Sequence, residues 1–466
     1  MLASFLQDQT VVRILLEAVV VIGAIYMGVR AGGLAIGLWG GVGVFILAFL
    51  LGVPPGSPPI DAMLIVLTVV AAASAMQAAG GTDYLVMVAS RIIRAHPKQI
   101  TWVAPLVSFL FTVGAGTGNI YFALLPVIYE VAYANDIRPE KPLAASATAS
   151  QMAVICSPVS AAMAAMLVLV GMQSGLLDTS LALTLPKILM IILPASLIGV
   201  LALSTVQNFI GKPLAQDPEY QKRLAEGRVL PPEPLHDLTP DEEAEVRKGR
   251  LPAFIFLAGV AFIMLLALVP SLRPSLPLGE EIAPLSMNAA IQLVMILVAV
   301  LIIMLSKVTV SDISKQGTWS SGITSMIALF GVAWLASTFI AANSGDITTA
   351  LGSVAEKAPW MLAIAMFLVS AFTTSQSTTT NAIVPIGLSL GIAPWLLVAM
   401  WPAVIGIYAF PANGSQIASV EMDQTGTTKL SKFILWHSFT IPMLVGAVVS
   451  VLAGLAIGYL LMGFGA

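Results

Sequence analysis

Gly114-Ala115-Gly116-Thr117-Gly118-Asn119 sits inside apolar sequence, with residues 102–113 before it and 120–131 after it. Three glycines and two short polar residues are costly at such a place in a membrane segment. An irregular backbone in lipid leaves N–H and C=O groups without partners unless protein or a cavity surrounds it. A second interruption, Thr373-Thr374-Ser375-Gln376-Ser377-Thr378-Thr379-Thr380-Asn381, lies between apolar residues 361–372 and 382–390. One such break in each half of a chain points to a ligand site near the bilayer midplane.

The rest of the composition fits that reading. The chain has 466 residues, 58% of them hydrophobic and only 10% charged, with a mean hydropathy of +0.95, as in a polytopic membrane protein. A single cysteine, Cys156, excludes an internal disulfide framework and a cysteine-based metal cluster. His96, His236 and His437 leave little material for a histidine metal site, so neither metal nor cofactor is expected. No HExxH or GxSxG motif occurs and no carboxylate pair lies in a span, which excludes the common intramembrane enzymes. No nucleic-acid partner is expected. Residues 1–10 lack a basic start and a small-residue cleavage site, so the first span is expected to remain in the mature protein.

Apolar runs of about 20 residues predict spans at 12–29, 31–52 and 60–79, then a short interfacial helix at 82–95 carrying Arg91 and Arg94. Two arms too short to cross flank residues 114–119 and predict a re-entrant hairpin at about 99–135. A span at 142–171 is broken at Ser157-Pro158-Val159-Ser160, and one at 181–210 follows. Residues 211–250 are polar, with Pro231-Pro232-Glu233-Pro234 and Asp241-Glu242-Glu243, and read as a solvated linker whose charges do nothing specific. Beyond it the layout repeats: spans at 251–269, 286–306 and 318–342, a short segment at 346–357 and a hairpin at about 359–391. A span at 394–422, broken at Phe410-Pro411-Ala412-Asn413-Gly414-Ser415, and one at 433–463 complete the chain. Gly81-Thr82-Asp83 and Ser344-Gly345-Asp346 each open a short segment, and Asn119 and Asn381 each end a hairpin tip, at nearly the same offset. The expected fold is therefore an all-α polytopic membrane protein. It is an inverted repeat of two five-span halves, 1–210 and 251–466, each with a re-entrant hairpin and a broken helix.

Basic residues set the orientation. With both termini periplasmic, Arg30, Arg91, Arg94, Lys98, Arg138, Lys141, Lys307, Lys315, Lys429, Lys432 and every basic residue of the linker face the cytoplasm. Only Arg13, Lys187, Arg273 and Lys357 then lie outside. The first hairpin enters from the cytoplasm and the second from the periplasm.

Two hairpin tips and two broken spans are expected to meet near the midplane. At each, a helix begins inside the membrane with free N–H groups and the positive end of its dipole, which favours anions. The candidate ligand-binding residues are Gly116, Thr117, Gly118, Asn119, Ser157 and Ser160 in the first half. Their counterparts are Ser377, Thr378, Thr379, Thr380, Asn381, Asn413, Gly414 and Ser415 in the second. Two clusters of neutral donors suit a ligand with two separated carboxylates. No arginine and no acidic residue occupies a tip or break, which favours exchange of one anion for another over a proton relay at the site. Elsewhere, Glu17 is expected to reach the interface. Gln77, Gln151 and Gln292 read as interhelical hydrogen-bond partners, and Cys156 as a small buried residue.

The chain resembles the anaerobic C4-dicarboxylate transporter family of the DcuA and DcuB type, along nearly its whole length. The likeness is strongest in three stretches. These are Gly28-Val29-Arg30-Ala31-Gly32-Gly33-Leu34-Ala35-Ile36-Gly37, Ser74-Ala75-Met76-Gln77-Ala78-Ala79-Gly80-Gly81-Thr82-Asp83-Tyr84-Leu85, and Gly114-Ala115-Gly116-Thr117-Gly118-Asn119. It continues in Ser157-Pro158-Val159-Ser160-Ala161-Ala162 and in residues 374–381. The resemblance implies a bacterial inner-membrane carrier that exchanges fumarate, malate or aspartate for succinate. It also implies kinship with the wider ion-transporter superfamily, in which hairpin tips and broken helices hold the substrate and homodimers are common. The 40-residue linker is long for the family as we picture it. Two other readings stay open: a sodium- or proton-coupled dicarboxylate symporter, and a dicarboxylate-sensing partner of a membrane sensor kinase.

Overall fold

The computed structural model describes residues 10–31, 34–58, 60–171, 183–229, 239–278, 281–410, 413–430 and 436–462. The sequence features Gly32-Gly33, Pro231-Pro232-Glu233-Pro234, Pro411-Ala412 and Lys432 lie outside them.

Helix α1 (Thr10–Ala31) packs on α2 (Ala35–Phe45), which continues as a π-helical turn, Ile46–Leu50. Helices α3 (Ile60–Ala78) and α4 (Gly81–Ala95) meet at a bend of 72°. Gly80 makes that bend with a φ of +76°, a conformation that costs other residues roughly 1–2 kcal/mol. A helical hairpin follows as α5 (Ile100–Ala115) and α6 (Ile120–Ala134), then α7 (Glu140–Val154) and α8 (Ala161–Val170), separated by the break at 155–160. Helix α9 (Leu185–Phe209) closes the first half.

The linker is more ordered than its composition suggested. It folds α10 (Pro218–Ala225) behind an Asp217 cap, and α11 (Pro240–Arg247) behind a Thr239–Glu242 capping box. Its charges are not idle either. Buried Asp217 accepts from Arg138 at 2.5 Å, and Arg138 also meets Glu140 at 2.5 Å. Glu243 pairs with Arg91 and Arg247, more exposed contacts of small energetic weight.

In the second half, α12 (Arg250–Leu268) leads to a β-hairpin, β1 (Ser275–Leu278) antiparallel to β2 (Glu281–Pro284). This is the departure from an all-helical chain among the described residues. Then come α13 (Met287–Ser306), the short turn α14 (Val310–Ile313) and α15 (Gly317–Lys357). Helix α15 is a correction to the sequence reading: it runs unbroken through 344–346, where a new segment was expected. A lone glycine without a proline or a left-handed partner is tolerated inside a helix, whereas the Gly80-Gly81 pair is not read through. The second hairpin is α16 (Met361–Thr373) and α17 (Gln376–Ser389). Helix α18 (Pro394–Met400) tightens into a 3₁₀ segment, Trp401–Tyr408, before α19 (Gly414–Met422), and α20 (Thr440–Met462) ends the described chain.

Among the described residues, four helical stretches could each cross a bilayer by length and hydropathy, or five counting the bent pair, and shorter apolar helices accompany them. The chain is a multi-pass membrane protein. Helices α9 and α20 pack lengthwise with Ser196, Ser204, Gly446 and Ser450 buried, small residues that let helix backbones approach without a hydrophobic drive. Glu17 corrects a second expectation. It is fully buried because it faces α15 rather than the interface, and it accepts from Asn343 Nδ2 at 2.5 Å with Arg13 Nε 3.4 Å away.

Candidate functional site

Each interruption forms a helix start at which a side-chain oxygen takes a backbone N–H. At the first tip, Gly116 ends α5 in the left-handed region (φ +75°), and Thr117 Oγ1 accepts from the Asn119 N–H at 3.3 Å. In the broken span, Ser157 Oγ accepts from the Val159 N–H at 3.3 Å, and Ser160 Oγ caps α8 by accepting from Met163 N–H at 3.0 Å. At the second tip Thr374 holds a φ of +50°, unusual for a β-branched residue, and Ser375 Oγ accepts from Thr378 N–H at 3.3 Å.

These starts converge. A cavity of about 240 Å³ is lined by Gly116, Thr117, Gly118, Asn119, Ser160 and Ala161 from the first half and by Thr374, Ser375, Gln376 and Ser377 from the second. Val66, Val69 and Val70 of α3 form part of its apolar wall, while Gln151 of α7 and Thr318, at the start of α15, add polar groups. No Asp, Glu, Lys, Arg or His lines it among the described residues. Its polarity comes from hydroxyls, amides and the first turns of α6, α8 and α17, whose unpaired N–H groups and dipoles favour an anion without a buried countercharge. A second chamber of about 370 Å³ shares Thr117, Asn119 and Thr318 with the first and reaches Gln77, Thr82 and Asp83.

The cavity brings together Gly116, Thr117, Gly118, Asn119, Ser160 and Ser377 of the sequence candidates. The others do not line it. Ser157 is buried at the break. Thr378, Thr379, Thr380 and Asn381 lie buried further along α17: Thr380 Oγ1 accepts from Trp401 Nε1 at 2.8 Å, and Asn381 Nδ2 donates to Ser377 O at 2.7 Å. Asn413, Gly414 and Ser415 open α19, where Asn413 Oδ1 accepts from Ser415 N–H at 3.0 Å and Ser415 pairs with the Tyr408 hydroxyl. Tyr408 also donates to Ala147 O at 3.0 Å, so this break ties the second half to α7 rather than opening into the cavity.

Sequence reasoning missed Thr374, Ser375, Gln376, Gln151 and Thr318 as lining residues. The N-cap preference of serine would have placed the second helix start at Ser375 and so moved the tip back to 374–376. Gln77 does act as an interhelical partner, its Oε1 accepting from Thr318 N–H at 3.3 Å. Cys156 is buried as expected.

The family described as anaerobic C4-dicarboxylate membrane transporter matches residues 13–462. Similar proteins include the anaerobic C4-dicarboxylate transporter DcuB of Escherichia coli O6:H1, 38% identical over 447 residues, covering 94% of this chain and 97% of that protein. The C4-dicarboxylate transporter DcuA of Wolinella succinogenes is 37% identical, covering 96% of this chain and 99% of its own. DcuA of Escherichia coli K12 matches with the same identity and coverage. With the match running through both hairpins and both breaks, the chain belongs to the DcuA/DcuB family of anaerobic C4-dicarboxylate membrane transporters.

Proposed function

We propose that this chain is an alternating-access carrier of C4-dicarboxylates that exchanges external fumarate, malate or aspartate for internal succinate across the bacterial inner membrane. Members of its family are transporters, and the chain is a transporter rather than an enzyme. The observation that carries the finer reading is the uncharged cavity between helix starts of the two halves. An anion held by neutral donors and dipoles leaves no unpaired buried charge behind when it departs. An empty site of this kind costs little, yet exchange keeps it filled on the return stroke.

The inverted repeat is part of the proposal, and helix packing supports it. Helix α1 packs on α2 as α12 does on α13, and α2 packs on α15 as α13 does on α3. Helix α5 packs on α7 as α16 does on the 3₁₀ segment Trp401–Tyr408. The proposed halves are 1–210 and 251–466, with hairpins entering from opposite sides and periplasmic termini, a reading that this pairing and the basic-residue bias support.

Counterflow tests the proposal. Purified protein in liposomes, loaded with succinate or left empty, is offered labelled fumarate. Uptake into loaded vesicles alone, indifferent to sodium, is the expected result. Uptake into empty vesicles that requires a sodium or proton gradient overturns exchange in favour of symport. The absence of flux in either case overturns transport by this protein alone.

A further inference from the structure

We infer that the pocket around Arg273 binds an anionic phospholipid, its phosphate on the guanidinium and an acyl chain along the apolar wall. The lipid would bridge α8 and α9 of the first half to α12 and α13 of the second. The inference is separate from the ligand cavity and does not depend on what that cavity carries.

Bilayer dimensions place the pocket. Helix α12 has 19 residues, a length of about 28 Å, close to the thickness of a hydrocarbon core. Arg250 and the polar linker stand at its start, so its far end and the start of α13 lie at headgroup level. The β-hairpin between them exposes Leu272, Leu276 and Ile282, the last at 78%, and Leu268 and Val269 are exposed just before it. A contiguous apolar surface of this kind marks contact with a membrane.

A cavity of about 480 Å³ lies at this level, larger than either chamber of the candidate site. Leu167, Val168, Pro186, Ala267 and Met287 give it an apolar wall, and Arg273 is the charged residue lining it among the described residues. Arg273 is partly buried, and its Nη1 donates to Leu285 O at 2.9 Å, which pins the guanidinium at the pocket. No carboxylate pairs with it among the described residues; Asp61 instead accepts from Asn288 Nδ2 at 3.4 Å. Its Nη2 has no hydrogen bond there and, unlike Nε, is not sealed from solvent. A cation in an apolar wall is costly unless an anion joins it. The guanidinium fork matches phosphate geometry. Ser286 Oγ, which also lines the pocket, accepts from Ala289 N–H at 3.2 Å and keeps its proton to donate. A small free anion would answer the cation and leave the apolar wall bare. A lipid answers both.

The test uses delipidated protein in detergent, with phosphatidylglycerol, phosphatidylcholine of the same chains, or glycerol phosphate added. Unfolding temperature and native mass spectrometry are the readouts. Phosphatidylglycerol should raise the unfolding temperature and stay bound, phosphatidylcholine should do clearly less, and glycerol phosphate should do nothing. Arg273→Gln, which keeps a donor for Leu285 O, should bind phosphatidylglycerol about tenfold more weakly, as for one lost charge-assisted hydrogen bond. Should that variant not fold, Ala267→Phe, which fills the apolar wall, should weaken phosphatidylglycerol in the same way. Equal effects of the two lipids on the wild type overturn the inference, as does unchanged phosphatidylglycerol binding in the variant tested. A full shift from glycerol phosphate alone overturns it in favour of a free-phosphate site. Dimers of delipidated protein that phosphatidylglycerol disperses overturn it in favour of a second copy as the occupant.

Discussion

A β-carbon placed on Gly116 would stand 2.9 Å from Val159 Cγ2 and 3.0 Å from the Val159 carbonyl oxygen. The first hairpin tip is thus seated directly on the break between α7 and α8. Gly116→Ala combines a left-handed φ that alanine resists with a contact that the backbone of Val159 cannot relieve. We expect destabilisation of about 2–5 kcal/mol, the sum of the two costs, visible as a lower unfolding temperature in detergent, and severe loss of transport. A variant with wild-type stability and flux would mean that the tip is not held against the break.

The two asparagines at the hairpins should behave differently. Asn119 lines the cavity, whereas Asn381 is buried along α17 and bonds within its own helix. Asn119→Ala should raise KM about tenfold or more, the weight of a bond to a charged ligand, with stability unchanged. Asn381→Ala should cost about 1 kcal/mol of stability and leave KM alone. The reverse pattern would relocate the binding wall to the interior of α17.

Glu17 and Asn343 join α1 to α15 through a buried bond. Glu17→Ala removes the acceptor from a buried amide and should cost about 1–3 kcal/mol; Glu17→Gln, which keeps an oxygen in place, should cost less. Thermal unfolding of both variants is the check, and equal losses would argue that packing, not the bond, is what α1 contributes.

The linker contact has a pH signature. Burial alone would raise the Asp217 carboxyl, but the N–H groups of Tyr220 and Glu219 and the Arg138 guanidinium hold it below its ordinary value. A carboxyl lowered on folding adds stability above its unfolded pKa of about 4, and that stability is lost as the pH falls through the folded value. Asp217→Asn should therefore be less stable than wild type at neutral pH, with the gap closing on acidification below about pH 4. Unfolding temperatures from pH 7 to pH 3 measure it, and a constant gap would remove ionisation as the cause.

Cys156, 1% exposed, has its thiol over the Met152 and Ile192 carbonyls. An impermeant maleimide should leave it unlabelled in the folded protein and modify it fully after denaturation. Rapid labelling of the native carrier would indicate that the break at 157–160 opens to water.

Hydropathy alone determined that this chain lives in a membrane, because long apolar runs have no other favourable solvent. It also located helix interruptions at 114–119, 157–160 and 373–376, because glycine, serine, threonine and asparagine in such runs have few structural uses. Residues 114–119 could be placed at a site wall from sequence, since Gly116 and Asn119 mark the tip by themselves. Which side chains share the cavity was decided by tertiary structure. Thr318 and Gln151 lie on helices whose sequences carry no local mark of a site, and they arrive only through the packing of α15 and α7 against the tips. Asn413 and Ser415 carry the same local signal as Ser160, yet Ser415 meets Tyr408 and Asn413 caps its own helix. A cap motif specifies where a helix begins; what that beginning points at depends on contacts between residues hundreds of positions apart.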